Sequence, residues 1–286
     1  MRPVVGGSCL NVAIGLARLG VPCGFVGGIS FDLFGRAIEE HAVTSGVDLR
    51  YATRSDHQTT LAFVRVVAGE ALYAFYDFGS ASRHWLYRPG VIPFPVIQAI
   101  HIGSTTLIDE KGACEAAALV ADAKESTTIT FDPNCRPSLI RDKKAYLDRM
   151  RAFAAAADIV RMSDADFHYL YGDDDYAAGA SALLAAGCRL VVVTLGQSGA
   201  RAWHRTAGAV EAAAPAVTVV DTIGAGDSFQ SALLYSLHRR DRLLRDRLSV
   251  INADELRSTL SFACRCAAVT CTRVGADPPF LEEIQY

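Results

Sequence analysis

One stretch in the last third of the chain, Val219-Val220-Asp221-Thr222-Ile223-Gly224-Ala225-Gly226-Asp227-Ser228-Phe229, gathers the residue types that phosphoryl transfer needs. A β-branched run enters a Gly-Ala-Gly turn. Phe229, Leu233 and Leu237 then recur at helical spacing, which predicts a helix from about Asp227. Small residues let the backbone approach a ligand closely. The free N–H groups at a helix start, with the helix dipole behind them, make a site for an anion. A carboxylate at that point can accept a proton from a hydroxyl. Phosphoryl transfer uses both features: donors for the charge on the transferred group, and a base for the nucleophile. The plainer reading is a tight turn with Asp227 as a simple helix N-cap.

The elements that would position this stretch alternate between two patterns. Helices are predicted over Asn11–Leu19, Phe34–Ser45, Gly112–Ala123, Lys143–Ala157 and Ser181–Ala186, with Gly20, Gly46 and Gly187 as C-terminal stops. Strands are predicted over Gly24–Gly28, Ile100–Ile102, Thr128–Phe131, Ile159–Met162 and Leu190–Thr194. Such β-α-β alternation argues for an α/β fold, a mostly parallel central sheet with helices on both faces. Right-handed crossovers then bring the strand C-termini to one edge, where ligands bind. Two β-rich runs, Thr59–Val67 and Ala71–Asp77, flank a Gly69 turn and read as a hairpin projecting from that core as a small β lid. We read residues 1–286 as one domain with a lid at about residues 52–80.

Composition removes several functions. The chain has 286 residues, 51% of them hydrophobic, enough for a large core without disulfides or metals. A net charge of −3 gives no basic field for nucleic acid. The cluster Arg239, Arg240, Arg242, Arg245 and Arg247 reads as a solvated basic face. No apolar run reaches the roughly 18 residues of a membrane span. No apolar leader opens the sequence, so a cytoplasmic protein is expected. Eight cysteines without a CxxC pair read as reduced, mostly buried thiols. The histidines show no HExxH spacing, and neither a Walker A sequence nor G-x-G-x-x-G occurs. Ser228 has no G-x-S-x-G elbow around it, which weakens a serine hydrolase.

The string DTxGAGDxF at Asp221 to Phe229 matches without mismatch a signature of the ribokinase-like (PfkB) carbohydrate kinases, and the chain resembles that family over nearly its whole length. Gly6-Gly7-Ser8-Cys9-Leu10-Asn11-Val12-Ala13 resembles its N-terminal signature, and Asp32-Leu33-Phe34-Gly35 its DxFG. Thr194-Leu195-Gly196 with Gly199-Ala200 is similar to its nucleotide-side loop, and Gly275-Ala276-Asp277-Pro278-Pro279 to its C-terminal segment. Within the family the chain resembles bacterial fructokinases. The cues are the GGS-x-x-N form, Thr60–Arg65, Tyr73–Asp77, Asp132-Pro133-Asn134 with Arg136-Pro137, and Ser163-Asp164 with Asp166.

That resemblance implies a kinase for a sugar hydroxyl, with fructose as the expected acceptor and 2-keto-3-deoxygluconate or ribose as alternatives. It implies ATP and Mg²⁺, with K⁺ as a further ion. Asp227 would be the base, and Gly224, Ala225 and Gly226 the anion hole. Gly7 and Asn11 would contact the sugar, while Thr194, Gly196 and Gly199 would lie on the nucleotide side. Cys264 would sit by the adenine, with plain core packing as the alternative. Asp166 would act on Mg²⁺ indirectly, in a variant of the family's NxxE motif. Asp221 would lie at a monovalent-cation site together with the segment Arg273 to Ala276. Family members often pair through the lid, so a homodimer through it is an expectation.

Two further residues come from position alone. Arg136, past a strand end, could hold phosphate or sugar oxygens, or form a surface salt bridge. Asp77 could face the sugar or end a solvated turn. The family's first strand, which carries an acidic sugar ligand, has no counterpart before Gly6-Gly7. Unpaired strand edges and an incomplete sugar site are therefore expected, with a non-catalytic sugar or nucleotide sensor as the rival function.

Overall fold

The computed structural model describes residues 3–67, 70–172 and 174–284. The chain runs α1 (Ser8–Arg18), β1 (Gly28–Ser30), α2 (Leu33–Thr44), β2 (Thr53–Ser55), β3 (Leu61–Val67), β4 (Glu70–Tyr76), β5 (Ala99–Gly103) and α3 (Glu110–Ala123). Next come β6 (Thr128–Asp132), α4 (Lys143–Ala156), β7 (Ile159–Ser163), α5 (Asp164–Tyr171), α6 (Tyr176–Ala185) and β8 (Leu190–Thr194). The last third holds β9 (Ala200–His204), β10 (Gly208–Ala212), α7 (Ala225–Arg239), α8 (Arg245–Leu248) and α9 (Ala253–Cys271).

The main sheet has the order β10-β9-β8-β7-β6-β5. Strands β5 to β8 are parallel, while β9 and β10 add an antiparallel hairpin. Both faces are covered, so the central strands read as continuous apolar runs. In β8, Leu190 and Val192 join one core and Val191 and Val193 the other, following the two-residue period of a strand. The core that takes Val191 and Val193 packs Leu119, Tyr146, Phe167 and Leu183 from α3 to α6. The core that takes Leu190 and Val192 packs Leu233 of α7, Leu260 of α9 and Val12 of α1. Burying each such side chain contributes about 1.5–3 kcal/mol. Gly15 lets α1 press on α7, since a Cβ there would come within 2.8 Å of Ser231 Cβ.

The helix starts differ in how they are capped. Helices α2, α3, α4, α5, α6 and α9 are each capped by an Asp, Ser or Asn side chain. Among the described residues, the two long helices without a side-chain cap are α1 and α7, and both begin after a glycine at positive φ, Gly7 and Gly224. Their first-turn N–H groups stay available to a ligand.

Several expectations are corrected. The strand at Gly24–Gly28 is a single bridge, Gly24 with Asp48, and the paired strand is Gly28–Ser30. The backbone here is spent on the Cys23 and Phe25 bonds to Asp48, 2.9 Å each, which leaves no longer ladder. The helix at Ser181–Ala186 begins five residues earlier because Asp175 caps it through Ala178 N–H. Helix α7 starts at Ala225, so Asp227 is the third residue of its first turn and not its N-cap. The run Val217 to Val220 is an exposed loop.

The lid is the two-stranded antiparallel sheet of β3 and β4. Gly69 and the side chains of residues 64–73 lie outside the described residues. Asp32 ties the lid to the body: it caps α2 through Gly35 N–H and accepts from Thr59 N–H (2.8 Å) and Thr59 Oγ1 (2.7 Å). Strand β5 is the outer strand of the main sheet, and β1–β2 form a separate parallel pair. No helix among the described residues is long and apolar enough to cross a membrane.

Candidate active site

The two uncapped helix starts meet the C-terminal ends of β6, β7 and β8 in one cavity of about 1880 Å³. Asp227, 7% exposed, stands at the centre. Its Oδ2 accepts from Asn11 Nδ2 at 2.7 Å, and its Oδ1 from Ser8 Oγ at 2.7 Å. Asn134 Nδ2 donates to Ser8 Oγ at 2.9 Å. Asn134 takes a left-handed φ of 40°, which an Asn tolerates better than most residues, and so turns its amide back to the site. Burial raises the Asp227 pKa above the ordinary range, the Asn11 and Ser8 hydrogen bonds oppose that, and the nearby Asp132 carboxylate adds to it. Such a carboxylate is a stronger base than an exposed one. Asn11 Oδ1 is buried on the cavity wall without a partner among the described residues, an acceptor that a ligand hydroxyl would satisfy.

Behind the glycine turn lies a buried ion pair. Arg161, 4% exposed, donates to Asp132 Oδ2 at 2.6 Å and to Thr194 Oγ1 at 2.7 Å. One guanidinium thus joins the ends of β6, β7 and β8. Its charge also opposes proton uptake by Asp227. Within the turn, the Ala225 N–H bends back to Thr222 O at 3.2 Å, and the Ser228 N–H reaches Gly224 O at 2.8 Å. The N–H groups of Gly226 and Asp227 have no partner among the described residues and are left for an anion.

The other expected residues divide into those at the cavity and those away from it. Gly7, Asn11, Arg136, Thr194, Gly196, Gly199, Asp221, Gly224, Ala225, Gly226, Asp227 and Cys264 all line it, as does Asp166. Arg136 donates to the carbonyls of Asn134 (3.2 Å) and Cys135 (2.9 Å) and pairs with no carboxylate among the described residues. The salt-bridge reading is therefore set aside, and a cation faces the cavity. Gly199 holds φ 91° beside the Ala212 carbonyl, where any side chain would clash. Cys264 is both a wall residue and a member of the α7–α9 core.

Asp77 is the correction. Its Oδ2 is held by Arg83 Nε (2.9 Å) and Nη2 (2.5 Å), and it does not line the cavity. Neither a sugar-facing carboxylate nor a solvated turn describes it, because the following residues fold Arg83 back on it.

Asp166 is committed locally. It accepts from Cys135 N–H at 2.8 Å and from the Ser163 hydroxyl at 2.7 Å, and its bond from Ser163 N–H at 3.2 Å closes a capping box on α5. Asp221 accepts from Gly275 N–H at 2.8 Å and Ile223 N–H at 3.0 Å, so it does meet the segment expected beside it. Among the described residues no group of three or more His, Cys, Asp or Glu is arranged to hold a metal. A cation here would draw its ligands mainly from a bound anion and water, which suits Mg²⁺ with a nucleotide. Sequence reasoning passed over Ser8 and Arg161. The signal for Arg161 was a lone cation inside an otherwise apolar strand.

Residues 1–283 match the profile described as pfkB family carbohydrate kinase. The chain is similar to a fructokinase of Rhizobium leguminosarum bv. trifolii, 36% identical over 258 residues that span 90% of this chain and 78% of the relative. A crystal structure of a Xylella fastidiosa fructokinase with bound ATP superposes with a TM-score of 0.86 at 27% identity, covering 97% of this chain and 88% of that one. A Vibrio cholerae fructokinase crystallised with fructose, ADP and calcium ion gives 0.81 at 28% identity, over 95% and 86% of the two chains. With the profile spanning nearly every residue, this chain belongs to the pfkB family of carbohydrate kinases.

Proposed function

We propose that the chain transfers the γ-phosphoryl group of ATP to a hydroxyl of fructose, giving fructose 6-phosphate and ADP. The observation that carries this reading is Asp227 on the first turn of α7, buried beside free amides and bonded to a hydroxyl. The fructose and ATP carried by the two similar fructokinases support the choice of substrates.

In this mechanism the sugar hydroxyl takes the place of Ser8 Oγ at Asp227 Oδ1, and a second sugar hydroxyl satisfies Asn11 Oδ1. Asp227 removes the proton as the phosphoryl group arrives in line. The Gly226 and Asp227 amides hold the equatorial oxygens, with Gly224 and Ala225 shaping the turn. Arg136 adds positive charge at the rim. Thr194, Gly196 and Gly199 take the nucleotide phosphates, and Cys264 lies against the base. Mg²⁺ would neutralise phosphate charge, with Asp166 acting on it through water. Asp221 and the Gly275 segment would border a monovalent cation. Lid strands β3 and β4 would cover the sugar and exclude water. The exposed lid residues Tyr76 and Phe78 offer a face for a second copy.

The test is ADP release from MgATP with fructose, ribose, 2-keto-3-deoxygluconate or a riboside. Strong stimulation by fructose alone supports the proposal. Stimulation by another sugar reassigns the acceptor. A folded protein that binds ATP and responds to no sugar overturns the catalytic reading in favour of a sensor.

A further inference from the structure

The residue that occupies the base in this structure is itself a hydroxyl. Ser8 Oγ donates to Asp227 Oδ1 at 2.7 Å, the distance a general base needs from the proton it removes. Among the described residues, no other hydroxyl side chain donates to Asp227. Ser8 Oγ accepts one bond, from Asn134 Nδ2, which leaves its second lone pair free for an electrophile. It lines the same cavity as Gly226 and Asp227, whose amides are the anion donors of the site. Neighbouring Cys9 is no competitor. Burial and the Asp227 charge push its thiol up to about 12, and it donates to Gly103 O at 3.6 Å.

We propose that, without sugar, the enzyme phosphorylates its own Ser8, an inference that rests on the kinase reading above. The step balances. Ser8 Oγ forms a bond to the γ-phosphorus of ATP, the bond from that phosphorus to the bridging oxygen breaks, and ADP leaves with the electron pair. The hydroxyl proton passes to Asp227 Oδ1. The product carries its phosphate at the first residue of α1, where the helix dipole and uncapped N–H groups favour negative charge. That phosphate then fills the acceptor position, so the reaction stops at one group per chain and blocks sugar turnover. Sugar protects, because it needs the same oxygen of Asp227.

The experiment incubates the full chain with MgATP, with and without fructose, and follows intact mass and peptide fragmentation while ADP release with fructose is measured on the same preparation. The expected result is one phosphoryl group on Ser8 without sugar, suppressed by fructose. Ser8→Ala should abolish it, and Asp227→Asn should slow it by about 10²–10⁴-fold. Mapping on the unaltered chain makes the outcome independent of how well either variant folds. Sugar phosphorylation with an unmodified Ser8, or a phosphoryl group mapped elsewhere, overturns this inference and leaves the kinase reading standing. Failure of both reactions overturns both.

Discussion

Asn11 Nδ2 donates to Asp227 Oδ2 across 2.7 Å, although 216 residues separate them, so the first helix of the chain fixes the base carried by the seventh. The Oδ1 of the same amide has no partner among the described residues. If Asp227 becomes Asn, its remaining oxygen can keep the Asn11 bond while the new NH₂ group donates to the free lone pair of Ser8 Oγ.

Asp227→Asn should therefore fold. Its kcat should fall by about 10²–10⁴-fold as the general base is lost, with ATP affinity nearly unchanged by calorimetry. The folded pKa of Asp227 is raised above its unfolded value. Its stabilising contribution is then full below the unfolded pKa and is lost as pH rises through the folded pKa. At pH 7 the ionised group is a cost, so the variant should melt no lower than the unaltered protein there, with the gap closing on acidification. A variant that melts far below the unaltered protein at pH 7 would contradict this account.

The same direction governs the pH–rate profile. The acidic limb of kcat should turn over above the ordinary aspartate value of 3.8. Asn11→Ala removes a donor that favours the charged form and should move the limb further up. A limb that stays in place would mean that another group controls it.

Gly224 and Gly226 should fail differently. Gly224 has φ 77°, and a Cβ there would lie 2.6 Å from Ala276 Cβ and 2.7 Å from its Cα. Gly224→Ala should cost about 1–3 kcal/mol from backbone strain alone. At Gly226 a Cβ would lie 3.0 Å from both terminal nitrogens of Arg161, a side chain pinned by Asp132 and Thr194. Gly226→Ala should lower kcat more than it lowers the melting temperature. Thermal melts and steady-state rates on both variants separate the two cases.

Removing Arg161 leaves Asp132, 1% exposed, as an uncompensated buried charge. Arg161→Met should cost about 3–5 kcal/mol, and Asp132→Asn added to it should restore part of that. The single variant should also shift the acidic limb of kcat upward, because the Arg161 charge holds the Asp227 pKa down. Urea unfolding of the double-mutant cycle checks the first claim, and a pH–rate profile the second.

Arg136 makes no ion pair among the described residues and donates only to nearby carbonyls. Arg136→Ala should change stability by no more than about 0.5 kcal/mol while raising KM for sugar or ATP. A large melting shift with unchanged KM would assign it a structural role instead.

Much of this was legible in the sequence. The alternation of apolar runs with helical patterns dictated the parallel sheet, because strands buried on both faces must be continuously apolar. The glycines at positions 224 and 226, with Asp227 and an apolar helical repeat, marked an anion site with a base, since a bare helix start offers free amides wherever the chain folds it. Tertiary structure alone decided which side chains reach that base. Ser8 and Asn11 meet Asp227 only because Gly15 lets two helices touch, and Arg161 underlies the glycine turn only because three strand ends converge there. Asp77 went the other way, claimed by Arg83, which the short turn at Ala81–Arg83 folds back onto it. Local periodicity fixes which face of an element is apolar. The partners of Asp227 and Arg161 are set by long-range packing, which local periodicity does not encode.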